Sequence, residues 1–373
     1  RGSAPERIAA RFRVVDLARA NADDLVEPWR ALAAGLEASS YFQTPDWVLA
    51  WWATVAQRPP TRFACWFDDD GQLSALVGLS ETEHRVNRRS PLSVRVLINA
   101  GSGPGDADHC GPLVPARLQT AAAEWISRAA GSRSVLLSDI DGGTWPPLPD
   151  GAQLITQTTC PRLSVAHPDQ PFVRSSGFRR QLRRYERQLA ERGVAFRWVP
   201  PGEVDASLIA ELLALHYGRR AAAGAGSSLD ERHRALLVGL AAAATPGSGP
   251  AAVVAHAGSH VVGVLLGFVW KDTFSAYQSG WSPDFATHSL GSVLLHQAIR
   301  LSAGEGVRTF DFLRGAEPYK YRFGAVDRYD ETYLLPRGMS GRTLRFEQAV
   351  RHAAHRFSAR VNLRRGRPGD PPG

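Results

Sequence analysis

Apolar positions along the chain follow two rhythms. A period of two marks strands, and a period near 3.6 marks helices. Residues 11–17 (RFRVVDL) alternate as a first strand. Across residues 24–38, Leu25, Trp29, Leu32 and Leu36 share one helical face. Thr44 is a natural N-cap and Pro45 suits the first helical position. Asp46 lies at the positive end of the dipole, and Trp47, Trp51 and Trp52 follow as core residues. RFACWFDD and LSALVGLSETEH flank Asp70-Gly71 as a β-hairpin. A strand (LSVRVLINAGS), a helix over 116–130, a buried strand (SVLLSDI) and one further strand (AQLITQTTCPRLSV) complete the first half.

HPDQP, residues 167–171, reads as a linker. Beyond it, the arginine-rich helix 177–191 carries Phe178, Leu182, Tyr185 and Leu189 on one face. A strand (GVAFRWVP) and helices over 203–223 and 229–244 come next. Three strands then form a meander turning at Gly258-Ser259 and Lys271-Asp272. The remainder reads as a helix over 289–303, a strand from Phe310, a short helix over 318–323, a last strand (RYDETYLLP) and a long basic helix over 342–365. The two halves thus share the order β-α-α-β-β-β-α-β. The predicted fold is α/β (α+β mixed sheet), with domains at 1–170 and 171–373.

Length and composition support two domains with real cores: 373 residues, 44% hydrophobic and 21% charged. The net charge of +8 favours anionic partners, although the excess is almost all arginine and also fits a coding bias. Cys65, Cys110 and Cys160 lie far apart, without zinc or disulfide spacing, so no metal is expected. The absence of a membrane-length apolar run, and of a signal-like N-terminal segment, leads to the expectation of a cytoplasmic protein. The loop GSGPGDADHCGPLVP carries Asp106, Asp108 and His109, which are read as solvent-facing.

The densest chemistry lies in residues 309–324, TFDFLRGAEPYKYRFG. An acid sits inside an apolar strand there. Arg314, Glu317, Tyr319, Lys320, Tyr321 and Arg322 then crowd round a Gly turn and a proline. An aspartate so placed should have a raised pKa unless Arg314 or Lys320 pairs with it.

WSPDFATHSLGSVLLHQAIRLSAGEGVRTFDFLRGAEPYK resembles the C-terminal core of the GNAT acyltransferase superfamily, and DFLRGAEPYKYRFG, YFQTPDW, DHCGPLVP, FRRQLRRYERQL and LHYGRR carry a narrower resemblance. More narrowly, it is similar to the two-domain branch of FemAB-type aminoacyltransferases and of acetyltransferase-like proteins found with cellulose-biosynthesis genes. The resemblance implies two tandem GNAT-like domains, each a mixed, mostly antiparallel sheet flanked by helices. The second would be active and the first degenerate. It implies an N-acyltransferase moving an acyl group from acyl-CoA or an acyl-carrier-protein thioester to a small-molecule or peptide amine. Alternatives are an aminoacyltransferase using aminoacyl-tRNA and a non-catalytic binding protein.

Strands 273–281 and 309–313 would splay to admit the donor. Gln278, Ser279 and Gly280 would line its arm, and Ser289, Gly291 and Ser292 would hold its phosphates. The superfamily's Arg/Gln-x-x-Gly-x-Gly/Ala loop retains only Gly291, with Ala286 and Ser289 at two of its other positions. Glu317 or Asp311 would serve as base, with Lys320 or Tyr319 acting on the leaving group or oxyanion. Arg314, His216, Tyr217 and Arg219 would meet the acceptor.

Overall fold

The computed structural model describes residues 11–17, 22–85, 93–103, 105, 107–144, 146–165, 173–222, 224, 226–227 and 229–345. Two sheets carry the fold. The first half supplies β1 (Arg11–Asp16), α1 (Asp23–Gly35), α2 (Pro45–Ala53), β2 (Thr61–Phe67), β3 (Leu73–Arg85), β4 (Ser93–Asn99), α3 (Gln119–Ala130), β5 (Ser134–Asp141), β6 (Gln153–Thr159) and β7 (Arg162–Ser164). The second supplies α4 (Ser176–Glu191), β8 (Val194–Val199), α5 (Ala206–Ala222), α6 (Glu231–Ala242), β9 (Gly249–Ala257), β10 (His260–Trp270), β11 (Thr273–Trp281), α7 (Leu290–Gly304), β12 (Thr309–Asp311), α8 (Pro318–Arg322) and β13 (Tyr329–Leu335). The internal repetition read from the sequence is present element for element. Most of the expected basic helix over 342–365 lies outside the described residues.

The sheets do not part at residue 170. The first runs β1-β2-β3-β4-β5-β13-β6 and the second β7-β12-β11-β10-β9-β8. The segment read as one strand, AQLITQTTCPRLSV, breaks at Cys160-Pro161. β6 stays in the first sheet, and β7 pairs antiparallel with β12 of the second. β13, read as closing the second unit, instead lies between β5 and β6, where Leu334 and Leu335 are buried. Each sheet thus takes one strand from the other half of the chain.

The halves also share a core. Tyr41 stacks on Phe268 at 4.7 Å, and Phe42 and Trp47 meet the same ring edge-on. Thr44 caps α2 by accepting the Trp47 N–H, fixing this aromatic wedge. Trp47 and Trp51 are buried, as the helical pattern predicts; Trp52 is half-buried and donates to the Pro59 carbonyl.

Each sheet contains a parallel pair that separates after three rungs. In the first, β4 and β5 pair through Val96/Ser134, Leu97/Val135 and Ile98/Leu136. Asn99, the next residue, then bridges the gap: its Nδ2 donates to the Ser138 carbonyl at 3.1 Å and its Oδ1 accepts the Ser138 N–H at 2.7 Å. In the second, β11 and β12 pair through Thr273/Thr309, Phe274/Phe310 and Ser275/Asp311. The residue equivalent to Asn99 is Ala276, which has no side chain long enough to bridge. The gap in the second sheet therefore stays open.

Candidate active site

The open gap is a cleft of about 840 Å³, against a void of about 20 Å³ bordering Asn99 in the first sheet. Its size lies within the range of small-molecule sites. β11 contributes Ala276, Gln278 and Ser279, and α7 contributes Leu290, Gly291 and Leu294. Phe312, Leu313 and Phe323 make an apolar floor. A β-bulge leaves Tyr277 as an extra residue between the Leu266/Gln278 and Gly267/Ala276 pairs. The bulge bends the strand beside the opening.

Ten residues expected at the site do line the cleft: Gln278, Ser279, Ser289, Gly291, Ser292, Arg219, Arg314, Glu317, Tyr319 and Lys320. Four do not. Asp311 points away into the protein. Gly280 is a packing glycine, since a Cβ there would lie 2.5 Å from the His216 amide nitrogen on α5. His216 is buried, donating from Nδ1 to the Ser279 carbonyl and accepting at Nε2 from the Ser227 hydroxyl. Burial lowers its pKa, in keeping with a neutral ring, and it fixes the edge of β11 from behind. The Tyr217 hydroxyl donates to the Leu229 carbonyl.

Lys320 lines the cleft but is fully engaged. Only 2% exposed, its Nζ donates to the carbonyls of Leu313, Arg314 and Gly315 at 3.1, 2.7 and 2.8 Å and pairs with Glu317 at 3.0 Å. It is a clamp on the turn rather than a free oxyanion donor. Gly315 has φ +108°, and a side chain there would overlap the Glu317 carboxylate, so the glycine lets Glu317 fold back to Lys320. Glu317 remains half exposed, and Tyr319 is exposed beside it. Burial of its hydroxyl and the nearby Glu317 raise the Tyr319 pKa, so it stays protonated at neutral pH. The Tyr321 hydroxyl donates to Asp327, outside the cleft.

Arg314 is held by the first half of the chain. Its backbone N–H and its Nε donate to the Asp108 carboxylate at 2.8 and 2.5 Å, and its Nη2 to the Ala107 carbonyl. Arg219 stacks on Trp281, 4.2 Å from the ring centre, and its buried Nε has no hydrogen-bond partner among the described residues. The Trp281 ring covers Gly291, whose added Cβ would sit 2.8 Å from it.

The Asp/His loop is a correction. Asp108 and His109, expected in solvent, are 1% and 3% exposed; Asp106 lies outside the described residues. His109 is clasped between Asp330 (Nδ1, 2.7 Å) and Asp311 (Nε2, 2.9 Å). Arg162 donates to Asp311 at 2.6 Å and also reaches Asp141. The partners of Asp311 are therefore His109 and Arg162, not Arg314 or Lys320. Burial would raise the Asp311 pKa, but these two cations and the Leu313 N–H outweigh it and hold it at about 2. Burial likewise opposes protonation of His109, yet the carboxylates push it up to about 10. Asp311 is thus a fixed anion under the cleft, unable to take a proton at neutral pH.

Three non-glycine residues with left-handed backbone meet here: His109, Asp139 and Leu313, at φ 51°, 53° and 55°. Each N–H is held by a side chain, those of Asp330, Thr332 and Asp311 respectively. Such conformations cost about 1–3 kcal/mol each and persist where neighbours over-determine them. His109, Cys160 and Asp330 bring possible metal ligands within 4.8 Å of one another. Both His109 nitrogens already face carboxylates, however, and burial keeps the Cys160 thiol protonated. Local sequence gave one signal of this hub: an acid in an apolar strand needs a partner.

Residues 176–321 match the family model described as an acetyltransferase (GNAT) domain. A sequence comparison with curated proteins finds no match. Among solved structures, the chain is similar to the C-terminal domain of a putative lysylphosphatidylglycerol synthetase from Agrobacterium fabrum. The TM-score is 0.57 at 11% identity, covering 88% of this chain and 97% of that one. It is also similar to FemX, with TM-score 0.57, 9% identity and coverage of 82% and 95%. A third is L-PGS from Bacillus licheniformis, with TM-score 0.54, 12% identity and coverage of 87% and 96%. At these identities the likeness is one of fold, and it extends over both sheets. Residues 176–321 thus match a GNAT acetyltransferase domain, and the chain as a whole shares its two-sheet fold with these structures.

Proposed function

We propose that this acyltransferase moves an acyl group from a thioester to an amine in the cleft between β11 and β12, with the first sheet a degenerate copy. The observation that carries this reading is the contrast at one position: Asn99 bridges the first gap, and Ala276 leaves the second open. The donor's arm lies along the edge of β11, as an added strand would. Leu290 and Gly291 line the cleft and begin a 15-residue helix, whose first N–H groups have no intrahelical partners, supporting a phosphate there.

An acceptor ammonium, with a pKa about 10, must lose a proton before it attacks. Glu317 takes that proton, directly or through a water. The amine nitrogen bonds to the carbonyl carbon, the carbon–sulfur bond breaks, the Tyr319 hydroxyl protonates the departing thiolate, and the second proton lost from the nitrogen restores that hydroxyl. Arg219, with its unmatched Nε over Trp281, meets an anionic group of the acceptor. Arg314 is turned toward the cleft but tied to Asp108, so it shapes the wall. A second reading, an aminoacyl-tRNA donor, is favoured by Trp281, which crowds Gly291 where a diphosphate would rest.

Ala276→Asn tests the carrying observation by placing in the second sheet the side chain that closes the first. The melting temperature of the apo protein is expected to hold. The thermal stabilisation produced by octanoyl-CoA or octanoyl-acyl-carrier protein is expected to vanish. Unaltered stabilisation by a donor in the variant would place the donor elsewhere.

A further inference from the structure

Helix α4 is charged against its own interest. Its docked face is Phe178, Leu182 and Leu189. On the opposite arc Arg180, Arg183, Arg184 and Arg187 are exposed, at i, i+3, i+4 and i+7. Like charges at these spacings repel. No acid stands in the first turn to suit the helix dipole. Of the two acids of α4, Glu186 is turned inward to His296 and Gln297 of α7, at 2.8 and 3.0 Å, and Glu191 stands exposed at the last residue of the helix. Among the described residues, no carboxylate pairs with any of the four arginines. The stripe is an uncompensated cationic surface of about 10 Å at 1.5 Å per residue.

Its position matters more than its charge. Phe178, at the start of α4, lines the cleft, and Arg322, also lining it, lies 3.6 Å over the Phe178 ring and donates to Gln181. One turn further on, Tyr185 meets Ser289 at the N-terminus of α7. The docked face of α4 therefore borders the donor end of the cleft, and the stripe lies on the outer arc of the same helix.

We propose that the arginine face of α4 docks an acidic acyl-carrier protein whose phosphopantetheine arm enters the cleft. This rests on the thioester reading above. The arginines repeat at the 5.4 Å pitch of an α-helix, the repeat at which a facing acidic helix presents its carboxylates. A nucleic-acid duplex carries a charge about every 1.7 Å along its axis and calls for a longer track. The apolar floor of Phe312, Leu313 and Phe323 suits an alkyl chain. The Trp281 ring over Gly291 narrows the seat, and a carrier-borne arm brings one phosphate to it where CoA brings a diphosphate.

The test is fluorescence anisotropy of labelled octanoyl-acyl-carrier protein titrated with the full chain, wild type against R183E/R187E. Binding to the variant is expected to weaken about tenfold or more, as for reversed charges across an interface. R183K/R187K should retain most of the affinity, and octanoyl-CoA should stabilise every form equally. Equal carrier affinity in wild type and R183E/R187E overturns the proposal. So does an RNA acceptor-stem hairpin that binds through Arg183 and Arg187 more tightly than the carrier. Carrier binding through α4 with no transfer of octanoyl to an amine would leave the docking surface standing and remove the thioester reading. Transfer from octanoyl-CoA without carrier binding would do the reverse.

Discussion

Glu317→Gln is expected to lower acyl transfer to an amine about 10²–10⁴-fold, the range of a positioned general base. The donor's affinity should stay close to wild type. Glu317 is half exposed at the cleft, and its carboxylate rests 3.0 Å from Lys320. A glutamine oxygen can keep that contact, so the clamp on the turn survives while the proton acceptor is lost. Single-turnover transfer from octanoyl-CoA or octanoyl-acyl-carrier protein to a panel of primary amines measures the effect. The loss should appear in the chemical step rather than in donor binding. A loss below about threefold would assign proton removal to another group. Asp311, the other acid of the stretch, is already excluded by its pairing.

Asp311→Asn is expected to cost stability. Removing one partner of a buried pair typically costs about 3–5 kcal/mol, because the other charge is left uncompensated. Here His109 and Arg162 would each lose one of two carboxylate partners and keep only Asp330 and Asp141, so the cost should fall toward the lower end of that range. That is a large part of a typical total of about 5–15 kcal/mol. Urea unfolding should show it as a lower midpoint.

The same pair sets a pH window. His109 titrates at about 10 when folded, above its ordinary 6.5. Its contribution is full below pH 6.5 and is lost as pH rises through 10. Asp311 titrates at about 2, below its ordinary 3.8. Its contribution is full above pH 3.8 and is lost as pH falls through 2. The contribution of this pair should therefore be level between these ordinary values and decline on the alkaline side. His109→Gln should flatten that alkaline decline. An unchanged alkaline slope in the variant would show that His109 is not charged in the fold.

Much of the fold was legible because it is local. Apolar periodicity and capping place the helices, and the Asp70-Gly71 and Lys271-Asp272 turns place the hairpins within a few residues of the observed ends. The cleft was legible too, since a meander, a crossover helix and a parallel strand must leave an edge where two strands part. The exchange of β7 and β13 was not. A strand's sequence states that it needs neighbours but not which sheet supplies them. The same limit hid the charged hub. Asp311 announced its need for a cation, and Arg314 and Lys320 were the nearest in sequence. The cations that reach it are Arg162 and His109, 149 and 202 positions away. Arg314 and Lys320 are claimed by Asp108 and by three carbonyls of their own turn. The closing of the first gap depends on Asn99 facing Ser138, a register that no local pattern encodes.

Amide hydrogen exchange with and without octanoyl-CoA, and then with octanoyl-acyl-carrier protein, tests the cleft most directly. A donor lying along the open edge of β11 should slow exchange at residues 275–281 and at the start of α7, with no change across 96–99 and 134–138. Protection confined to the first sheet, or none in 275–281 with either donor, would contradict the assignment of this gap as the seat of acyl transfer.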